Sequence, residues 1–497
     1  MLWLSLFTSQ KALCTLPIAV LVLISSLDAA DKQLLASSFP MLSETLGLDV
    51  ETLGYFSFFT NGSYALSLPL WGYLVHRYGL EKIHYLLAVA CTTWGLSTMG
   101  IALFGHSVVG QAIFRAIVGV ALGSIMPLSQ TLLVELVESA MRGRAFGLML
   151  LCEKFAGTLA AAAVVYLDIW ETPYYALGGL SLVMGYLAWT ILSPHRRALA
   201  SPSSAALVSP IKKDDEAPQL TLREIIQRIV RMPAFMCMVA QGVFGGTPWD
   251  MMSFLLLLMD WRGFTKGQIV SIQFTSGLTS TIGGWLGGYL GDYCAQRWGT
   301  QGRIWLAFIS VLGGIPLYGL YLFATKYNAA LVWINAFQLW GTWTQSGALR
   351  PICADLTRNA SERAQIISLW IVLEKLSGAI LGAPLVGYLT SNMLTDDVSD
   401  GNEESKMSPM EKAGFLAFNL LLLSSLFWAI CAFFWAVMAF VIQRGDSRLV
   451  ISASKDLAER EEDVNVNDQT NGQGGTAIRR RSKSSDKNGE VEMHSLL

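Results

Sequence analysis

The sequence predicts an all-α integral membrane protein, with twelve transmembrane helices arranged as two pseudo-symmetric six-helix bundles. Three observations carry this. Of 497 residues, 53 % are apolar and only 14 % charged, against about 25 % charged in soluble domains. The apolar residues come in runs of about 20, the length that crosses a bilayer. One motif is also written twice: ELVESAMRGRAFGLMLLCEKFAG from Glu135 to Gly157, and DLTRNASERAQIISLWIVLEKLSG from Asp355 to Gly378. Each copy opens on an acid, passes a short polar loop with basic residues, and enters an apolar helix carrying Glu-Lys. The offset is 374 − 153 = 221 residues. A costly charged pair repeated at one spacing marks a duplicated half, as in many transporters.

The first half holds six apolar runs, roughly 12–35, 53–75, 83–104, 108–134, 145–167 and 173–192. The first has a rival reading as a signal peptide, with Ser26 to Ala30 as the cleavage site. Cleavage there would leave an odd number of spans. The second half repeats the count at roughly 233–258, 269–290, 304–324, 330–352, 364–390 and 413–441. The expected divisions are a cytosolic N-terminus 1–11, a first bundle 12–193, a linker 194–231, a second bundle 232–443 and a disordered tail 444–497. The linker is rich in Pro, Ser and charge and ends in an amphipathic segment, Thr221 to Arg231, expected to lie on the membrane face. The seven Cys are scattered without CxxC spacing, so they read as small apolar core residues and not as metal ligands.

Lys and Arg concentrate in the even-numbered connections, among them Arg77, Lys82, Arg142, Arg144, Arg196, Arg197, Arg297 and Arg303. Both termini are therefore expected in the cytosol. Neither sequon is usable in that topology: Asn61 falls inside span two and Asn359 in a cytosolic loop.

A second motif also repeats. Gly72-Tyr73-Leu74 with Arg77-Tyr78-Gly79 follows span two, and Gly288-Tyr289-Leu290-Gly291-Asp292 with Arg297-Trp298-Gly299 follows span eight. This resembles the loop signature of the major facilitator superfamily, and Arg115-x-x-x-Gly119-x-x-x-Gly123 is similar to its span-four pattern. Leu27 to Lys32 looks like the first-span motif of the spinster-like branch, and Val239 to Trp249 most resembles plant and protist members of that branch. The resemblance covers about residues 12–443 and implies the major facilitator fold, alternating access, no cofactor and no enzymatic activity. One departure is His76, which stands where the first loop signature has an acid. Gating through Gly72, Arg77 and Gly79 is thereby weakened, and Asp292, Arg297 and Gly299 form the better copy.

Charges inside spans are expensive and call for a role. Asp28 and Lys32 lie four apart in the favourable order for mutual neutralisation, which leaves Asp31 as the freer acid. Burial penalises the charged form of a carboxyl, which makes Asp31 a candidate proton carrier. Against this stands a bland placement of all three at the outer water interface. Arg115 has no water to hold it, and the simplest partners are the span-one acids; a fixed helix lock is the alternative. Glu153 and Lys154, like Glu374 and Lys375, point about 100° apart on their helices, so each needs a partner elsewhere, in a cavity, a gate or an inter-helix bridge. The second half offers Trp249, Asn335, Gln338 and Trp340 as cavity candidates, an aromatic and amide surface suited to an amphiphile.

The expected function is secondary active transport of a small organic or amphiphilic, lysolipid-like solute, coupled to protons through Asp31 and Arg115. An uncoupled facilitator and a non-transporting sensor or scaffold of the same fold are the rivals. No metal spacing, nucleophile motif, phosphate loop or nucleic-acid patch is present in the sequence. The implied partners are the lipid bilayer, the solute and protons. The ending Glu492 to Leu497 adds a dileucine-type sorting signal at Leu496-Leu497, so an adaptor is a further partner and the membrane is plasma, endosomal, lysosomal or vacuolar. Arg479 to Ser485 is a basic run suited to anionic lipid or to solvent.

Overall fold

A computed structural model describes residues 12–137, 142–167, 169–193, 233–349, 351–352, 360–399 and 407–474. The linker with its amphipathic segment, the loop arginine Arg358, the second sequon and the basic and dileucine stretches of the tail lie outside the described residues. What is described is helical, with no strand among the described residues. Among the described residues eight helices are long and apolar enough to cross a bilayer, and one of them, Lys266–Leu322, turns back at Gly299.

The first half runs Ala12–Leu46, Val50–Tyr78, Ile83–Leu103, Val108–Leu136, Arg142–Leu167 and Glu171–Ile191. In the second half, span seven is Pro233–Met251 continued through a 3₁₀ turn into Leu255–Trp261. Spans eight and nine share Lys266–Leu322, span ten is Tyr327–Gly341 followed by a π-turn at Gln345–Leu349, and span eleven is Ala360–Leu381 with Ala383–Ser399. Span twelve is Pro409–Gly474. This order fits the six-plus-six pattern.

Two boundaries differ from expectation. Span one continues to Leu46, since nothing between Leu35 and Leu46 except Pro40 opposes a helix. The last helix continues to Gly474 through a stretch expected to be irregular. Its segment Lys455 to Asp463 is rich in Ala, Leu, Glu and Arg, all strong helix formers. The residues from Phe440 onward form a unit of their own.

The duplication is visible in the backbone. Gly47, Gly79, Gly263 and Gly299 have positive φ, which only glycine adopts without strain. They pair across the halves at 263 − 47 = 216 and 299 − 79 = 220 residues, so each half turns the same two corners with the same residue. Helix starts are capped as polar sequence signals suggest. Thr265 and Gln268 form a reciprocal capping box at span eight. At span twelve the Ser408 N–H donates to Glu411 (2.8 Å) and the Glu411 N–H to Ser408 Oγ (3.3 Å).

Close helix crossings rest on small residues. Span four crosses span two at Gly119 and Gly123, where an added Cβ would strike Ser63, the Thr60 carbonyl and Ser67. The related crossing in the second half puts the glycines on span eight instead, with Gly283, Gly287 and Gly291 against Thr342, Trp343 and Gly347 of the span-ten segment. Gly119→Leu should therefore overpack the first crossing by about 1–3 kcal/mol. A lowered thermal midpoint of the detergent-purified protein is the measurement that checks this.

The halves meet closely at one end. Phe39 of span one meets Phe254 of span seven at 5.1 Å between ring centroids. Gly54 sits against Ala383, and Gly387 against Val50. All of these lie near the end of span one or the start of span two, opposite the repeated loop motif. At the motif end Gly72 and Gly79 have open space around them, and Tyr73, Tyr78, Tyr289 and Trp298 are exposed.

Candidate substrate and coupling site

Between the halves lies a cavity of about 380 Å³. First-half residues on its wall include Lys32, Gln33, Asn61 and Tyr64, and second-half residues include Trp249, Asp250, Gln273, Gln338 and Lys375. Span one supplies its charges through helical spacing. Lys32 Nζ donates to Asp28 Oδ2 at 2.7 Å, with the Lys side chain 43 % exposed and the Asp side chain 11 %. The ammonium also sits 4.9 Å from the Tyr64 ring centroid. The other Asp28 oxygen, Oδ1, is buried without a hydrogen bond. This is the intrahelical pair that the i, i+4 order predicts, and it faces the cavity from a buried helix, not from an outer water interface.

Asp31 points away from Lys32, toward span three. Its Oδ1 accepts from Trp94 Nε1 at 3.0 Å and from Thr98 Oγ1 at 3.2 Å, and the residue is 8 % exposed. Arg115, 2 % exposed, is an electrostatic neighbour of Asp31. The expected ion pair between them does not form. Arg115 Nη2 instead donates to Gln111 Oε1 at 2.9 Å, one turn earlier on its own helix. Its guanidinium lies 4.8 Å from the Phe56 ring and 5.7 Å from the Tyr174 ring. Its Nε has no hydrogen-bond partner. The reason is competition: span three offers Asp31 two neutral donors, and Gln111, fixed by its own bond to the Gly105 carbonyl (2.7 Å), offers Arg115 an acceptor.

Of the two Glu-Lys pairs, Lys154, Glu374 and Lys375 sit on cavity walls. Glu153 has Asp28 and Lys32 of its own half as electrostatic neighbours. Glu374 packs on Gly246 of its own half. The lysines reach across: Lys375 lines the 380 Å³ cavity beside Lys32 and Tyr64. Lys154 lines a second cavity of about 310 Å³, otherwise walled by spans of the second half. Adjacent residues on one helix thus serve two halves, as the 100° step requires.

Asp250 escapes a reading of the sequence span by span. It lies on the cavity wall as an electrostatic partner of Lys375, without an ion pair between them. Its signal is the repeat itself, because 250 − 28 = 222 places it at the span-one acid's equivalent position. Of the aromatic and amide candidates, Trp249 and Gln338 line the cavity. Asn335 does not; it ties span ten to span eight, accepting from Thr279 Oγ1 at 2.9 Å and donating to Thr275 Oγ1 at 3.1 Å. Trp340 donates to the Ile309 carbonyl at 3.2 Å and packs on Trp343. Both are used in holding helices together, which spacing along one helix does not show.

The loop motif also differs in detail. Asp292 pairs with Arg303 at 2.7 Å and not with Arg297, which lies by the Trp298 ring at 5.9 Å. Gly299 turns the chain between the two arginines and brings Arg303, at the start of span nine, back onto the end of span eight. Arg303 also donates to the Gly347 carbonyl at 2.9 Å, joining span ten. Arg77 is exposed. Among the described residues no cluster of His, Cys, Asp and Glu could hold a metal ion.

Two helical repeats closed at one end over a charged, solute-sized cavity are the architecture of an integral membrane transporter. Comparison with known proteins gives the family. The Major Facilitator Superfamily pattern matches residues 21–383, and the chain belongs to that superfamily. A solved bacterial homologue of the human lysosomal transporter Spinster, inward-facing and unoccupied, superposes with a TM-score of 0.69 at 16 % identity, covering 88 % of this chain and 99 % of that one. The nucleoside transporter NupG gives 0.60 at 13 % identity, covering 83 % of this chain and 98 % of that one. These likenesses show the fold. A protein of Bacillus subtilis (strain 168) described as "Putative niacin/nicotinamide transporter NiaP" is 29 % identical over 164 residues, 30 % of this chain. The match spans 39 % of that relative's length.

Proposed function

We propose that this transporter moves a small organic or amphiphilic solute by alternating access, coupled to protons at Asp31. One observation carries the coupling: Asp31 is buried beside Arg115 yet is not ion-paired with it, while Asp28 is already neutralised by Lys32. An acid free to exchange neutral donors for a nearby cation has two arrangements, and a conformational change needs such a bistable element. In this reading, protonated Asp31 rests on Trp94 and Thr98, and the ionised form turns to Arg115. The solute's polar part binds between Lys32, Lys375 and Asp250.

In this reading the loop-motif end and both termini face the cytosol, which the distribution of Lys and Arg supports. The conformer sealed at Phe39 and Phe254 is then inward-facing, and the membrane is the plasma or an endosomal, lysosomal or vacuolar one. The test has two stages. A thermal-shift screen of purified protein against lysophospholipids, sugars, amino acids and organic anions is expected to return a stabilising solute, since ligand binding to the folded state raises stability. That solute should then enter proteoliposomes under an imposed pH gradient and collapse to equilibration when an uncoupler is added. Uptake indifferent to the uncoupler would favour the uncoupled facilitator; binding without uptake would favour the sensor.

A further inference from the structure

The cavity between the halves carries a set of uncommitted amide side chains. Gln33 and Asn61 stand on its first-half wall, and Gln273 and Gln338 on its second-half wall. Among the described residues none of these four side chains makes a hydrogen bond. All four residues are half-buried and their polar atoms keep open surface, so the bonds are unmade without being sealed off. Other amides in the spans are committed to protein. Gln241 donates to the Met238 carbonyl at 2.8 Å, Asn419 to Thr390 Oγ1 at 3.0 Å, and Asn335 to the Leu331 carbonyl at 2.7 Å. Two charges on the cavity wall are in the same condition: among the described residues the Lys375 ammonium and the Asp250 carboxylate make no ion pair or hydrogen bond.

Each primary amide presents a C=O acceptor beside N–H donors. A solute complements that edge fully only if its own groups both accept and donate, as neighbouring hydroxyls do. A carboxylate only accepts and an ammonium only donates, so a zwitterion leaves half of each amide edge unanswered. An acyl chain answers none of it. Hydroxyls also suit the two charges, donating to Asp250 and accepting from Lys375 in charge-assisted bonds. The volume of about 380 Å³ lies at the small end of the roughly 300–1,000 Å³ usual for ligand sites. Trp249 adds apolar surface for the C–H side of a compact solute. Since the amides come in pairs from the two repeats, one solute engaging all four sits at the repeat interface, where alternating access places its cargo.

We infer that the solute is a compact polyhydroxylated compound of monosaccharide or cyclitol size, held by Gln33 and Asn61 from one half and by Gln273 and Gln338 from the other, with Asp250 and Lys375 each taking a hydroxyl. This rests on the transporter reading and names the solute class for its site, though binding itself can be measured without transport.

The full-length purified protein is titrated with D-glucose, D-ribose and myo-inositol, each set against L-glucose at the same concentration. L-Glucose is excluded from protein surfaces to a similar degree but presents its hydroxyls in mirror image. L-Alanine and lysophosphatidylcholine stand for the zwitterion and the amphiphile. At least one of the three polyols should raise the thermal midpoint by about 1 °C or more above the L-glucose value. Gln273→Met and Gln338→Met keep the length of the side chain and remove the amide. Each should leave the unliganded midpoint in place, because no protein hydrogen bond is lost, and weaken polyol binding roughly tenfold. Gln296→Met, on an exposed face, should not weaken it. No response to any of the three beyond L-glucose, or unaltered binding in both cavity variants, overturns the inference. A response confined to L-alanine or to lysophosphatidylcholine overturns it in favour of that class. Polyol binding without proteoliposome uptake would leave the solute class of the site standing and sink the transport reading. Gradient-driven uptake of an amphiphile by a protein that binds no polyol would do the reverse.

Discussion

Asp31→Asn is expected to reduce pH-gradient-driven uptake at least about tenfold, a loss within the usual range of coupling free energies, while leaving solute exchange across the membrane intact. The substitution is nearly isosteric. An Asn side-chain oxygen can accept from Trp94 and Thr98 as Asp31 Oδ1 does at 3.0 and 3.2 Å, so the resting conformer should fold unchanged. What is lost is the charge that would draw Asp31 to Arg115 in the other arrangement. The variant is thereby fixed in its neutral form and can shuttle solute down its own gradient without a proton. Counterflow and gradient-driven uptake, measured side by side in proteoliposomes, separate the two. Unaltered gradient-driven uptake would show that the coupling acid lies elsewhere.

The second large effect belongs to Asp250 and Lys375. Each is the other's electrostatic partner on the cavity wall, and Gly378 and Gly382 of span eleven leave the space that the Asp250 side chain occupies. Removing one charge leaves the other on the cavity wall without its opposite, and coupled neighbours of this kind interact by about 0.5–3 kcal/mol. Lys375→Ala and Asp250→Ala should each lower the thermal midpoint sharply. The double variant should recover much of the loss, because neither charge is then left alone. A double-mutant cycle on thermal stability measures the interaction. Additive losses would mean that the two residues act independently. Uptake should fall in all three variants, since the double variant restores stability but not the polar site.

The sequence is most informative where one helix decides the outcome. The Asp28–Lys32 pair follows from i, i+4 spacing, and the small-residue face of span four follows from Gly119 and Gly123 recurring every four residues. It is informative again where the repeat constrains it, in the Glu-Lys offset and in the paired loop motifs. It is mute on how neighbouring helices are rotated. Span-by-span reasoning gives Arg115 to the span-one acids because no other charge is in view, and a neutral glutamine one turn away takes it. Order along the chain couples Asp292 with Arg297, and the reversal at Gly299 delivers Arg303 instead. Asn335 and Trp340 have the right chemistry for a cavity but point into helix contacts. Asp250 is legible through its 222-residue distance from Asp28, a comparison that needs only the repeat already in hand.

The paired positive-φ glycines have a bearing on how the molecule is made. Gly47 and Gly79 shape the corners of the first half with no residue from the second, and the contacts of span three with span six and of span two with span four are internal to it. Domains generally fold in the order in which they are synthesised. The first bundle can therefore complete its core while the ribosome is still translating span seven. What then waits unpartnered includes the sealing end, around Phe39, Val50 and Gly54. The second half, turning the same two corners, assembles against a surface already in place.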